Sequence, residues 1–208
     1  MRILFLSAAL ASLASCGPLA EFSDSAGIVA PTKDWRAVVT DRDRTRLADW
    51  RQHFTAALAE ARAKGHDTEI AGHGALLDPD AGLPSASIPN GDYACRIIKL
   101  GSQNGDGLGM VAYPAFRCRI QPEEGVQGFA KLTGSQRPIG MIFPADPLRQ
   151  VLLGTLQLGD EMRPRVYGRD AQRDVAGWVE KIGEKRWRIL FPAPAFESRM
   201  DVMELVPA

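Results

Sequence analysis

"GDYACRIIKLGSQNGDGLGMVAYPAFRCRI", residues 91–120, is the stretch on which the fold turns. Two runs that alternate apolar and polar side chains flank a glycine-rich centre, and each run carries one cysteine, Cys95 and Cys118. A period of two is the mark of a half-buried strand, and "NGDGLG" is turn chemistry, so the stretch predicts an antiparallel hairpin. With Cys95 opposite Cys118, Tyr93 faces Ile120 and Ile97 faces Phe116, while Arg117 and Arg119 point to the other side. That register puts four apolar residues and both thiols on one face. In an exported chain the two cysteines form a disulfide in preference to a metal pair, closing a loop of ~24 residues at about 3.4 kcal/mol in a chain-entropy treatment.

Downstream the same period continues. "YACRIIKL", "AFRCRI", "GFAKLTG", "PIGMIF", "RQVLLGTLQL", "AGWVEKI", "RWRILF" and "DVMELV" are short apolar or alternating runs separated by Gly, Pro, Asn and Asp. They predict about eight strands across residues 92–206, joined too tightly for crossover helices and therefore antiparallel and paired in order. The fold class is mainly β (α+β), as a meander barrel or a two-sheet sandwich; closure into a barrel would remove exposed edges.

Upstream the period changes to that of a helix. Thr40 and Asp43 form a capping-box pattern, Asp41 and Asp43 sit in a first turn, and Gly65 supplies a stop, which predicts one long amphipathic helix over 41–64. Leu47, Trp50, Phe54, Leu58 and Ala61 make its apolar stripe, with Arg44, Arg51, Glu60 and Arg62 largely off it. The stripe is expected to pack on the β-region.

The N-terminus reads as export. An apolar run from Ile3 to Ser15 follows Arg2 and is shorter than the roughly 20 residues a membrane-spanning helix needs, so residues 1–15 are expected to be a signal peptide. The tetrad Leu13, Ala14, Ser15, Cys16 resembles the lipobox of bacterial lipoproteins, which implies lipidation of Cys16 and anchoring in the cell envelope on the periplasmic side, with the outer membrane favoured by Gly17. Residues 16–34 then form a lipidated tether, rich in Gly, Pro, Ser and Ala, spanning roughly 25 Å as a flexible coil. Residues 35–208 form a single globular domain.

The full chain has 25 basic and 25 acidic side chains, and without Arg2 the mature chain has 24 against 25, a net charge of −1. No clustered basic excess exists, so a nucleic-acid partner is not expected. The segments "DWRAVVTDRDRTRLADW", "PADPLRQVLLGTLQLGDE" and "GWVEKIGEKRWRILFPAPAFESRMDVMELVPA" resemble, over residues 35 to 207, an uncharacterised family of small alphaproteobacterial envelope proteins grouped as a domain of unknown function. The resemblance implies a lineage and no activity.

Catalytic motifs are absent. His53, His66 and His73 are the three histidines and lack metal-ligand spacing; "GSQNG" does not match a nucleophile elbow; "DPDAG" has its glycine one position early for a calcium loop; Glu123 and Glu124 are adjacent and cannot face one site. Neither a cofactor nor a metal is expected. One segment, "RPRVYGRDAQRD" at 163–174, offers arginines beside an aromatic ring, and Arg163, Arg165 and Tyr167 are candidate binding residues, with Arg165 and Tyr167 sharing a face at period two. The leading expectation is an envelope lipoprotein acting as a non-enzymatic binding or structural module. Its partners would be the membrane, through the lipid, and an envelope protein or glycan. The alternative is an envelope hydrolase with dispersed catalytic residues, in which His66 or His73 would be the base.

Overall fold

The computed structural model describes residues 32–208, so the expectations for the signal peptide and for lipidation of Cys16 lie outside the described residues. Nine strands follow one another: β1 Gly91–Leu100, β2 Met110–Ala112, β3 Phe116–Glu123, β4 Val126–Lys131, β5 Gln136–Asp146, β6 Arg149–Leu158, β7 Asp174–Gly183, β8 Arg186–Pro192 and β9 Met200–Pro207. Every pairing is antiparallel, and β9 returns to pair with β1 from Tyr93↔Pro207 to Leu100↔Met200. The result is an eight-stranded closed barrel, not a sandwich. The ninth strand, β2, was not legible as one, because three residues are too few to show a period. It fills the edge of β1 from Ile98 to Leu100, where β3, paired only with Gly91–Cys95, no longer reaches.

The disulfide Cys95–Cys118 forms, with Cα atoms 5.9 Å apart, but the strands lie two residues from the expected register: Tyr93 opposes Cys118 and Cys95 opposes Phe116. A slip of two keeps every side chain on its face, so burial tolerates it, whereas a slip of one would turn the core outward. With β2 inserted between the two strands, no tight turn dictates the register, and the bridge spans a diagonal pair.

All eight barrel strands contribute to one buried cluster that includes Tyr93, Cys95, Cys118, Phe129, Leu152 and Met203, which makes it the barrel interior. The outside of the barrel carries a second layer. Helices α1 Asp41–Ala48 and α2 Trp50–Ala63 divide the single helix expected over 41–64, and α3 Asp67–His73 follows it as an additional helix. Thr40 caps α1 by accepting the Asp43 amide. The break falls at Asp49 (φ −91°, ψ 10°), two residues after Leu47, whose carbonyl accepts the Trp178 indole N–H at 2.8 Å; a side chain drawn into the helical ladder is a recognised cause of such a kink. The apolar stripe is buried as expected, with Leu47, Trp50, Phe54, Leu58 and Ala61 all in the core. The α2 stripe packs on Ile98, Leu190 and Val202, and Leu47 of α1 packs with Phe143, Val151 and Leu153. Strand β6 is therefore covered on both faces, which explains why "RQVLLGTLQL" reads as a continuous apolar run.

Loss of the bridge has a definite expected effect: replacing both cysteines by Ala should lower unfolding free energy by about 3 kcal/mol. Urea denaturation checks this, and wild-type protein under reductant should fall to the same midpoint.

Candidate functional site

The two ends of the barrel differ. At one pole the hairpins β3–β4, β5–β6 and β7–β8 turn through residues 124–125, 147–148 and 184–185, and the segment 77–90 leading into β1 is fastened there by the Ser85 amide on the Pro147 carbonyl; the other pole carries the long interstrand connections 101–109, 159–173 and 193–199 and the four-residue turn 132–135. Tight turns serve the fold; long loops on a rigid scaffold are where binding residues accumulate. The chain enters at the tight-turn pole, where the Lys33 side chain lies against Gly125.

The long-loop pole holds charge inside the barrel. Lys99 continues the inward series Tyr93, Cys95, Ile97, and the β1–β9 register sets it opposite Asp201, with Nζ 3.1 Å from Oδ2. A second carboxylate, Glu197, comes within 3.3 Å of the same ammonium, and the Ser198 hydroxyl donates to Asp201. Burial works against the charge on Lys99, but Asp201 and Glu197 outweigh it and hold its pKa above the ordinary value. Burial raises the Asp201 carboxyl despite Lys99 and Ser198. Lys131, also inward, has no carboxylate partner among the described residues; it donates to the Gln136 carbonyl at 2.8 Å and lies 3.6 Å from the centre of the Phe116 ring. Burial, followed by the charges of Arg137 and Lys99, lowers its pKa to about 8.

Lys99 separates two spaces. Beneath it lies a cavity of about 50 Å³ walled by Ile97, Leu156, Phe191 and Met203 and edged by Arg46 and Asp174, large enough for a few waters. The buried Nε of Arg46 has no partner among the described residues. Above it opens a cleft of about 470 Å³ lined by Lys99, Ser102, Asn104, Asp106, Tyr113 and Glu197.

Both loops bounding the cleft are held from behind. Lys64, at the end of α2, donates to the carbonyls of Gly105 (2.8 Å) and Gly107 (2.6 Å) and to Glu60 (3.0 Å). Glu60 also accepts the Ser102 amide and the Arg199 guanidinium; burial opposes its charge, yet Lys64 and Arg199 keep its carboxyl below the usual range. His66 Nε2 donates to the Leu108 carbonyl at 2.8 Å while Nδ1 faces Glu69 at 3.0 Å, and these acceptors, Glu69 first, raise its pKa. In the 193–199 loop, Ala193 (φ 43°) and Glu197 (φ 67°) hold left-handed conformations that cost L residues of order 1 kcal/mol or more, and Arg46 Nη1 bonds the Ala193 carbonyl at 3.0 Å.

A family model for a domain of unknown function, DUF4893, matches residues 35–205. The chain belongs to this family. Comparison with curated proteins and with solved structures gives no match.

In this DUF4893 domain, Arg163, Arg165 and Tyr167 fall in the 159–173 loop, at the long-loop pole, but the segment is not a strand and its side chains diverge. Tyr167 turns inward and is buried; its hydroxyl donates to Asp43 Oδ2 at 2.6 Å and accepts the Thr40 amide at 3.2 Å, so it ties the start of α1 to the loop. Burial, then the Asp43 carboxylate, drives its phenol far above the ordinary value. Arg165 points outward and pairs with Asp170 at 2.8 Å, and Arg163 is exposed. The expected shared face of Arg165 and Tyr167 is therefore not formed, because the loop has no period of two. Cys95 and Cys118 lie in the barrel interior, below the mouth. His53, His66 and His73 sit apart on the helical layer, and both ring nitrogens of His66 are occupied. Among the described residues no three His, Cys, Asp or Glu side chains gather as a metal site.

Sequence reasoning missed Lys99, Asp201 and Lys131. The signal was parity: Lys99 is in phase with Cys95, Asp201 with Met203 and Leu205, and Lys131 with Phe129. A charge in phase with the core marks a strand end that opens toward solvent.

Two outcomes follow from this geometry. Tyr167→Phe removes a bond to the fully buried Asp43 carboxylate and should cost about 2 kcal/mol, read by chemical denaturation. Lys131 binds its proton less tightly when folded than when unfolded, so between pH 8 and about 10.4 the unfolded chain holds more protons and stability rises with pH. Lys131→Met should flatten that rise and raise stability at pH 7; denaturation midpoints across pH 7 to about 10 check both statements.

Proposed function

We propose that this DUF4893 protein is a lipid-anchored envelope protein whose barrel is a non-enzymatic binding module, and that the long-loop mouth is its binding face. The observation that carries this reading is polar: three long interstrand connections surround a recessed Lys99–Asp201 pair at one pole, and the chain enters at the other. Lipidation at Cys16 would put the membrane on the side of Lys33 and Gly125. Attachment at that pole favours a mouth turned toward the periplasm. Exposed apolar side chains at the mouth, Leu108, Tyr113 and Phe196, fit a recognition rim.

Anchor and face are tested separately. Cys16→Ala should move the protein from the detergent-soluble membrane fraction to the soluble envelope fraction; retention on membranes after a salt wash would rule out lipid anchoring at this cysteine. For the face, a photo-crosslinking amino acid at position 108 or 196 should yield adducts in cells where one at position 125 or 185 yields few. Equal yields from both poles would rule out the mouth.

A further inference from the structure

We propose that the outer cleft is a saccharide site that takes a neutral glycan on Tyr113, Asn104 and Asp106; the inference rests on the mouth being the binding face and names what that face binds. The cleft exists without a ligand because its backbone is already bonded. Besides the Lys64, Glu60 and His66 bonds, Gln103 joins the glycine-rich loop to the 193–199 loop, its amide donating to the Glu197 carbonyl at 3.0 Å and its Nε2 to the Pro194 carbonyl at 2.6 Å. Gly101, Gly105 and Gly109, at φ 65°, 79° and 81°, let the loop take this shape. A loop fixed beforehand loses little entropy on binding.

Against that fixed backbone, Asn104 and Asp106 are exposed, line the cleft, and make no hydrogen bond or ion pair with any described residue. Tyr113 adds a half-exposed ring. The charge balance selects among ligands. Lys99 is already answered by Asp201 and Glu197, so Asp106 leaves the cleft net negative, which disfavours phosphates and carboxylates. An amide and a carboxylate two positions apart on one loop, both lining the cleft, answer a ligand that both donates and accepts hydrogen bonds, which is the chemistry of sugar hydroxyls. The C–H face of a pyranose needs an apolar plane, and the Tyr113 ring lining the cleft provides one. A volume of about 470 Å³ lies within the range of small-ligand sites.

The test uses the full-length protein in detergent, titrated by calorimetry with two neutral probes, the β-1,4-linked tetramer of N-acetylglucosamine and cellotetraose. At least one should bind at millimolar concentration or below. Tyr113→Ala and the double variant Asn104→Ala, Asp106→Ala should each weaken it about tenfold or more, while Tyr113→Phe stays within about twofold, since the ring and not its hydroxyl makes the contact. The double variant and Tyr113→Phe should unfold at the wild-type temperature, because the polar groups they remove make no bond in the fold, and Tyr113→Ala should unfold only a few degrees lower through loss of the covered part of its ring. Failure of both probes to bind would overturn the proposal, as would wild-type affinity in the two alanine variants or preference for a sulfated or carboxylated sugar. A failed titration alongside mouth-specific crosslinks would refute the saccharide and leave the binding face standing; crosslinks from both poles alike would refute the face itself.

Discussion

Barrel closure between β1 and β9 is the constraint on which the remaining structure depends. Strand β1 serves three partners: β9 along one edge from Tyr93 to Leu100, β3 on the first half of the other edge and β2 on the second. Backbone groups left unpaired along β1 would invite another chain. Closure answers them on one side, and the short β2 answers them on the other once β3 has turned away. The same closure creates an interior to which all eight strands contribute, and it sets Lys99 against Asp201 at the rim.

The outer layer is secured differently, by ions buried between helices and sheet. Arg188 of β8 is fully buried; its guanidinium makes two bonds to Glu180 of β7 and reaches the carbonyls of Ala75, Leu76 and Asp78 after α3. Burial lowers the Arg188 pKa and Glu180 opposes that shift. Removing two charges from water is costly unless every donor is met, so this pair specifies where the end of the helical layer sits more than it adds net stability. Asp43, Arg46 and Tyr167 act likewise at the start of α1. Between these two anchors α2 lies across the barrel and delivers Glu60, Lys64 and His66 to the glycine-rich loop. The helical layer thus shapes the mouth without supplying the floor of its cleft.

Much of this was legible in the residues. Eight alternating runs, one capped amphipathic segment and two in-phase cysteines specify a disulfide-linked antiparallel β-domain with a packed helix, because period, capping and turn chemistry are local properties of the chain. Parity even carried the inward direction of Lys99. Other features resisted for identifiable reasons. A three-residue strand is too short to show a period. The kink at Asp49 follows a bond from Trp178, more than a hundred positions away in sequence. Arg165 and Tyr167 could not be placed, since a loop of irregular backbone sends neighbouring side chains in unrelated directions.

The residues alone determined the eight barrel strands, which helical face is apolar, and that the two thiols share a face; each follows from spacing along the chain. Only the tertiary structure decided that the sheet closes as a barrel, that Tyr93 and not Cys95 opposes Cys118, and that the long interstrand loops 101–109, 159–173 and 193–199 meet at one pole around Lys99 and Asp201. Register, closure and the meeting of loops are set by contacts between residues distant in sequence, where a shift of two is invisible to periodicity and is settled by the packing of the whole interior.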